Sequence, residues 1–174
     1  NWHITHSDWN NMPEGESTIY LRAEDIFGNR VGYDDSASFT VNKDTVAPQS
    51  EFDIIGSKTG TDSLGRHWFN DDTLIYVVDE DVGVVNTRSE INTNLCLYSV
   101  TDSIASPPRS TGWLSRDCNA NAQIKIGSAS NSAKHCVSQG RETCGFSTIS
   151  YDRAGNSRIT VEMLNIDYTS PDAQ

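Results

Sequence analysis

The chain has 174 residues, of which 36% are hydrophobic, and a formal net charge of −11. Its 13 Lys and Arg are scattered among 24 Asp and Glu, so it offers no basic face for a phosphate backbone, which excludes nucleic acid as a partner. No apolar stretch approaches bilayer-spanning length, and the start at Asn1, with neither Met nor signal peptide, reads as a mature or excised piece of something longer.

Thr, Ser, Asn, Asp, Gly and β-branched residues dominate, and short alternating runs are separated by turn clusters, which predicts an all-β fold. In chain order, the first strands fall near 2–5, 18–24 and 37–42. Between the last two lies Asp25-Ile26-Phe27-Gly28-Asn29, a turn in which Gly supplies positive φ and Asp and Asn bond the local backbone. Asp44-Thr45-Val46-Ala47-Pro48 follows, and proline, which cannot donate to a ladder, marks the exit from a strand. Seven further strands are predicted: A near 51–55, B near 73–78, C near 95–100, D near 112–115, E near 123–126, F near 145–151 and G near 158–166. Strand B is apolar on both faces, with Leu74, Tyr76 and Val78 against Ile75 and Val77, and reads as central. Strand G reads as one-sided, with Ile159, Val161, Met163 and Asn165 on one face.

Both phrases then recur, as Asp152-Arg153-Ala154-Gly155-Asn156 and Asp167-Tyr168-Thr169-Ser170-Pro171, at offsets of 127 and 123 residues. That period suits one domain per repeat. Residues 1–48 thus form the C-terminal part of one module and 49–174 a whole one. Forty-eight residues hold material for about three strands where a sandwich needs about seven, and would bury little core. The missing strands are expected upstream in a longer protein or from a neighbouring subunit.

The segments TIYLRAEDIFGN and FTVNKDTVAP, and STISYDRAGN and VEMLNIDYTSP, resemble the closing F and G strands of bacterial immunoglobulin-like repeats of long cell-surface proteins. HWFNDDTLIYVVDEDVGVV resembles the Trp-x-Asn opening of strand B and an acidic B to C loop in the same repeats. The resemblance implies tandem extracellular β-sandwiches serving as spacer, adhesive or assembly unit, without identifying a partner.

The four cysteines all fall in the second module, and an even count in an extracellular chain favours disulfides. In an antiparallel sandwich the B to C, D to E and F to G turns share one pole, and the C to D and E to F turns the other. Cys96 and Cys118 then sit at the first pole, Cys136 and Cys144 at the second. Pairing across poles would span roughly 17 to 20 Å, beyond disulfide reach, so Cys96–Cys118 and Cys136–Cys144 are expected. The competing metal reading lacks a Cys-x-x-Cys pair and has only His135 nearby.

The same topology brings Asp44 of the linker to Asp79 and Asp81 of the B to C loop and to Asp152 and Asn156 of the F to G turn. Repulsion among these carboxylates would be removed by Ca²⁺, a hard cation with six to eight oxygen ligands, stiffening a joint between domains. The simpler reading makes Asp152 a turn former and the 79–81 run a solvated loop, and no complete calcium loop is present. His3 and His6, placed on a strand, point to opposite faces, and no serine sits in a nucleophile elbow, which predicts no enzymatic activity. Two functions stay open. One is a structural or adhesive unit whose partners are neighbouring modules, identical subunits or a host-surface ligand. The other is a carbohydrate-recognition accessory, for which an exposed row of Trp2, Trp9, Trp68 and Trp113 would speak.

Overall fold

The computed structural model describes residues 3–31, 38–55, 60–69, 74–118, 122–125 and 136–169. The chain opens on a single helix among them, α1 (His6–Asn11), where the sequence predicted a strand at 2–5. Trp2 lies outside the described residues, and Thr5 is the helix N-cap, its hydroxyl accepting from Asp8 N at 3.1 Å. A Ser or Thr oxygen in that place satisfies one of the orphan N–H groups of a first turn. His6 opens the helix, so the two-faced placement of His3 and His6 on a strand does not occur.

Antiparallel β1 (Gly15–Tyr20) and β4 (Ser38–Lys43) enclose the small hairpin of β2 (Ala23–Glu24) and β3 (Arg30–Val31). Then come β5 (Gln49–Ile55), β6 (Gly60–Thr61), β7 (His67–Phe69), β8 (Leu74–Glu80), β9 (Ile91–Asp102), β10 (Arg109–Ser110), β11 (Leu114–Ser115), β12 (Ala122–Lys125), β13 (Gly140–Asp152) and β14 (Ser157–Ile166). The fold is all-β, in several sheets. One sheet runs β12-β8-β5, with the predicted strand B at its centre. The other runs β10-β9-β13-β14-β7-β6, and β11 also pairs with β9. Trp68 does not open strand B. It lies on β7, which pairs in parallel with β14.

The core forms where these two sheets meet. Ile75 and Val77 of β8 and Ile124 of β12 pack with Val100 of β9, Phe146 of β13, and Leu164 and Ile166 of β14. Phe52 of β5 meets the edge of Phe146 at 5.3 Å between ring centres, a favoured aromatic geometry. Burying each such side chain stabilises the fold by about 1.5–3 kcal/mol. The predicted core face of β14 is reversed in its first half: Ile159, Val161 and Met163 are 56%, 54% and 44% exposed, while Leu164 and Ile166 are fully buried. Along the inner face of β13 the character changes, from Cys144 and Phe146 to Thr148, Ser150 and Asp152, all buried. The buried face of β13 is therefore apolar at its start and polar toward Asp152.

Register ties the two halves of the chain together. Ser17 pairs with Val41 and Ile19 with Phe39, while Cys144 pairs with Leu164 and Phe146 with Glu162. These are the same pairs displaced by the 127 and 123 residues that separate the repeated phrases. In the later copy, β9 covers one edge and β7 the other. Among the described residues, β1 and β4 form a two-stranded sheet with no third strand.

Candidate functional site

The repeated turn has three copies, not two. In each, the main chain closes between the first and fifth residues: Asp25 N to Asn29 O at 2.9 Å, Asp62 N to Arg66 O at 3.0 Å, and Asp152 N to Asn156 O at 3.0 Å. The glycine at the fourth position has positive φ, +82°, +76° and +94°, where a Cβ would be strained. The Asp carboxylate accepts the N–H of the fifth residue at 2.9, 3.1 and 2.8 Å. Its other oxygen accepts from that residue's side chain at 2.7 Å in every copy: the amides of Asn29 and Asn156, the guanidinium Nε of Arg66. The third copy escaped the sequence because Arg66 stands where the others have Asn. These bonds to the ionised form hold Asp25 and Asp62 below the ordinary carboxylate range, the Asn29 amide contributing most in the first and the Trp68 indole N–H in the second.

The last copy also meets the segment around Asp44. The Asn156 amide also donates to the carbonyl of Asp44 at 3.0 Å. The buried Asp44 carboxylate accepts from Ser89 N at 2.7 Å and Val46 N at 3.1 Å. Burial pushes Asp44 up, but the bonds from Ser89 and Val46 outweigh it and leave the group below its ordinary value. The loop holding Ser89 is fastened in turn to the turn, by Arg153 N to Glu90 O at 2.9 Å and Ala154 N to the Ser89 hydroxyl at 3.1 Å. Gly15 approaches this loop so closely that a Cβ would lie 2.8 Å from Thr87 Cγ2. On the far side, Lys43 is buried with its ammonium donating to Met12 O at 2.7 Å, which ties the end of α1 to the last strand before the linker. Glu14 accepts from Thr45 N and from the Thr45 hydroxyl, at 3.0 and 2.6 Å. Linker, turn and loop thus form one hydrogen-bonded joint.

Of the residues predicted to hold calcium there, Asp44, Asp152 and Asn156 meet directly. Asp81 is buried nearby in sequence and accepts from Glu90 N at 2.7 Å, and its Oδ1 is buried without a partner. Asp79 is committed elsewhere. Its carboxylate faces the Arg116 guanidinium, with Nη2 to Oδ1 at 2.7 Å, and also accepts from the Ser50 hydroxyl at 2.7 Å. Among the described residues, the one group of three metal-type side chains whose ligand atoms converge within 4.8 Å is Asp79, Cys96 and Cys118. Its two sulfurs are bonded to each other and offer no thiolate. Asp44, Asp81 and Asp152 do not form such a group among the described residues. Asp44 and Asp152 accept backbone and amide N–H groups through both oxygens, and Asp81 through one.

The disulfides join Cys96 to Cys118 and Cys136 to Cys144, with Cα separations of 5.4 and 5.5 Å. The first fixes the segment that carries Arg116, whose N–H also donates to Cys96 O at 2.9 Å. Near the second, the fully buried Asp102 accepts from Ala105 N, Val137 N and Ser138 N at 2.9, 2.8 and 2.7 Å. Burial raises Asp102, and these N–H groups, Ser138 first, bring it below the ordinary range. Trp9, Trp68 and Trp113 lie on α1, on β7 and ahead of β11, and form no ring contact with one another. Comparison of the chain with family models, with curated proteins and with solved structures finds no match.

Proposed function

We propose that the chain is a non-enzymatic structural unit of an extracellular surface protein, in which tandem immunoglobulin-like sandwiches act as a spacer or adhesive stalk. The observation that carries this reading is the joint. The buried carboxylate of the linker residue Asp44 accepts from Ser89 N, and its carbonyl accepts from Asn156 of a turn that occurs in both modules. A connection of this kind sets the angle between modules, which a freely jointed linker would not do. Two disulfides suit an oxidising compartment, and no helix among the described residues is long and apolar enough to cross a membrane. Of the described tryptophans, Trp113 is exposed while Trp9 and Trp68 are half-buried, which favours the structural reading over an open carbohydrate platform.

Small-angle scattering and surface labelling test the proposal together. The expected result is an elongated particle of fixed shape for the native chain, a broadened distribution for Asn156→Ala, and labelling of the parent protein on intact source cells by a membrane-impermeant reagent. A particle whose shape distribution is equally broad with and without Asn156 removes the spacer role, and labelling only after lysis removes the surface location.

A further inference from the structure

From the geometry of the joint we infer a head-to-tail contact between copies of this chain, in which the Asp25–Asn29 turn of one copy seats beside Asp167 of another. The inference rests on the repeat organisation above and not on cellular location. The contact at Asp44 has two halves, and the chain carries a second, unpaired example of each. Asp167 repeats Asp44: its Oδ1 accepts from Thr169 N at 2.8 Å as that of Asp44 accepts from Val46 N. Yet Asp167 is exposed, and neither its Oδ2 nor its carbonyl, the two acceptors that Ser89 and Asn156 fill at Asp44, has a donor among the described residues. Asn29 repeats Asn156: its amide donates to Asp25 Oδ2 at 2.7 Å, and the further bond that Asn156 makes to a linker carbonyl is missing.

The surroundings of the two halves offer an exposed apolar tip on one side and a partly apolar hollow on the other. Ile26 and Phe27, at the tip of the first turn, are 93% and 83% exposed. Adjacent apolar side chains this open mark a contact surface more often than isolated ones do. Asp167 lies on the wall of a cavity of about 320 Å³ lined also by Thr61, Asp62 and Trp68. The indole supplies an apolar wall, and Asp167 supplies the acceptors at its edge. Because the two halves sit on opposite modules, the contact is heterologous, and it adds copies in a line or ring and does not stop at a closed pair.

Sedimentation velocity of the full chain over a rising concentration series tests this. The expected result is a weight-average mass that climbs beyond a dimer for the native chain and stays monomeric for Asp167→Ala and for Asn29→Ala. A 1:1 mixture of those two variants keeps one intact junction and should give dimers and nothing larger. Phe27→Ser, which leaves the hydrogen bonds of the turn in place, should weaken association at least tenfold without altering the melting curve. Asp167→Ala acts through the linker backbone, which loses the Thr169 N bond that fixes the Asp167 carbonyl for Asn29. A native chain that sediments as a monomer throughout, or variants that associate as the native chain does, overturns the inference while leaving the internal joint and its scattering test untouched.

Discussion

Removing the guanidinium of Arg116 should be the most damaging single change in the second module. Arg116 and Asp79 have side chains 1% and 0% exposed, and the pair is bidentate. At an effective dielectric of about 20, opposite charges roughly 4 Å apart attract by about 4 kcal/mol, and truncating one partner of a buried pair typically costs about 3–5 kcal/mol because the other is left uncompensated. Asp79 would keep its bond from the Ser50 hydroxyl, which offsets about 1 kcal/mol. Arg116→Met should therefore lose about 3–4 kcal/mol, equivalent to a fall in Tm of roughly 10–15 °C for a domain of this size. Urea unfolding followed by tryptophan fluorescence measures it. The double variant Asp79→Leu, Arg116→Met removes both charges and should recover most of the loss, since an apolar pair of similar volume is often as stable. If Arg116→Met stays within about 1 kcal/mol of native, the pair is open to water and does not hold the polar inner end of the sheets together.

Three other outcomes follow from the same structure. Opening Cys96–Cys118, with a sequence separation of 22, should cost about 3.4 kcal/mol and opening Cys136–Cys144, with a separation of 8, about 2.5 kcal/mol in the loop-entropy account; paired Cys→Ala variants in urea give the order directly. Asp102 is held below its ordinary value in the folded state, so the unfolded chain takes up its proton first as pH falls. Stability should be level above about pH 5 and decline below about pH 4, and Asp102→Ala, which strands three N–H donors, should cost about 1–3 kcal/mol at pH 7 and flatten that decline. At the joint, Asn156→Ala should speed amide exchange at Ser89 about fivefold, as loss of about 1 kcal/mol requires, with β9 and β13 unaffected, whereas a chelator should leave both exchange and Tm unchanged because N–H donors hold the carboxylates.

Much of this arrangement is legible in the sequence because turns and strands write short-range signals. The alternation of Leu74 to Val78 marks β8, and the paired spacing of Asp-x-x-Gly-Asn and Asp-x-x-x-Pro reproduces the ladder register of β1–β4 and β13–β14. The disulfide pairs are those the pole argument expected, although Cys96 and Cys144 lie inside β9 and β13 and do not begin them. What escaped is of two kinds. Some signals were short: α1 spans six residues, too few for a helical period, although Thr5 three places before Asp8 marks its cap. Others were long-range: nothing local to Arg116 says that it reaches Asp79, 37 residues away, or that β7 lies beside β14. Strand β14 misleads because both faces carry apolar residues, odd positions outward in its first half and even positions inward in its second. Of the residues grouped at the joint, Asp44, Asp152 and Asn156 are linked through the Asn156 amide, while Asp79 pairs with Arg116, a long-range choice that no local signal announces.

The parallel contact of β7 with β14 has a consequence for how the chain would bear load. Asn165 and Ile166 lie beside Trp68 and Phe69, strengthened by Asn165 Nδ2 to His67 O at 2.9 Å and Asp167 N to Phe69 O at 2.9 Å. If the ends of the second module are drawn apart, these strands slide along their own axes in opposite directions, so their bonds are strained together in shear. The β1–β4 ladder is arranged otherwise, since Gly15 and Lys43, its first and last residues, face each other at one end. Tension applied there peels the ladder one pair at a time. Under a pull along the chain, the β1–β4 ladder would open like a zip while the β7–β14 contact still holds, making the two copies of one motif into a yielding element and a resisting one in series.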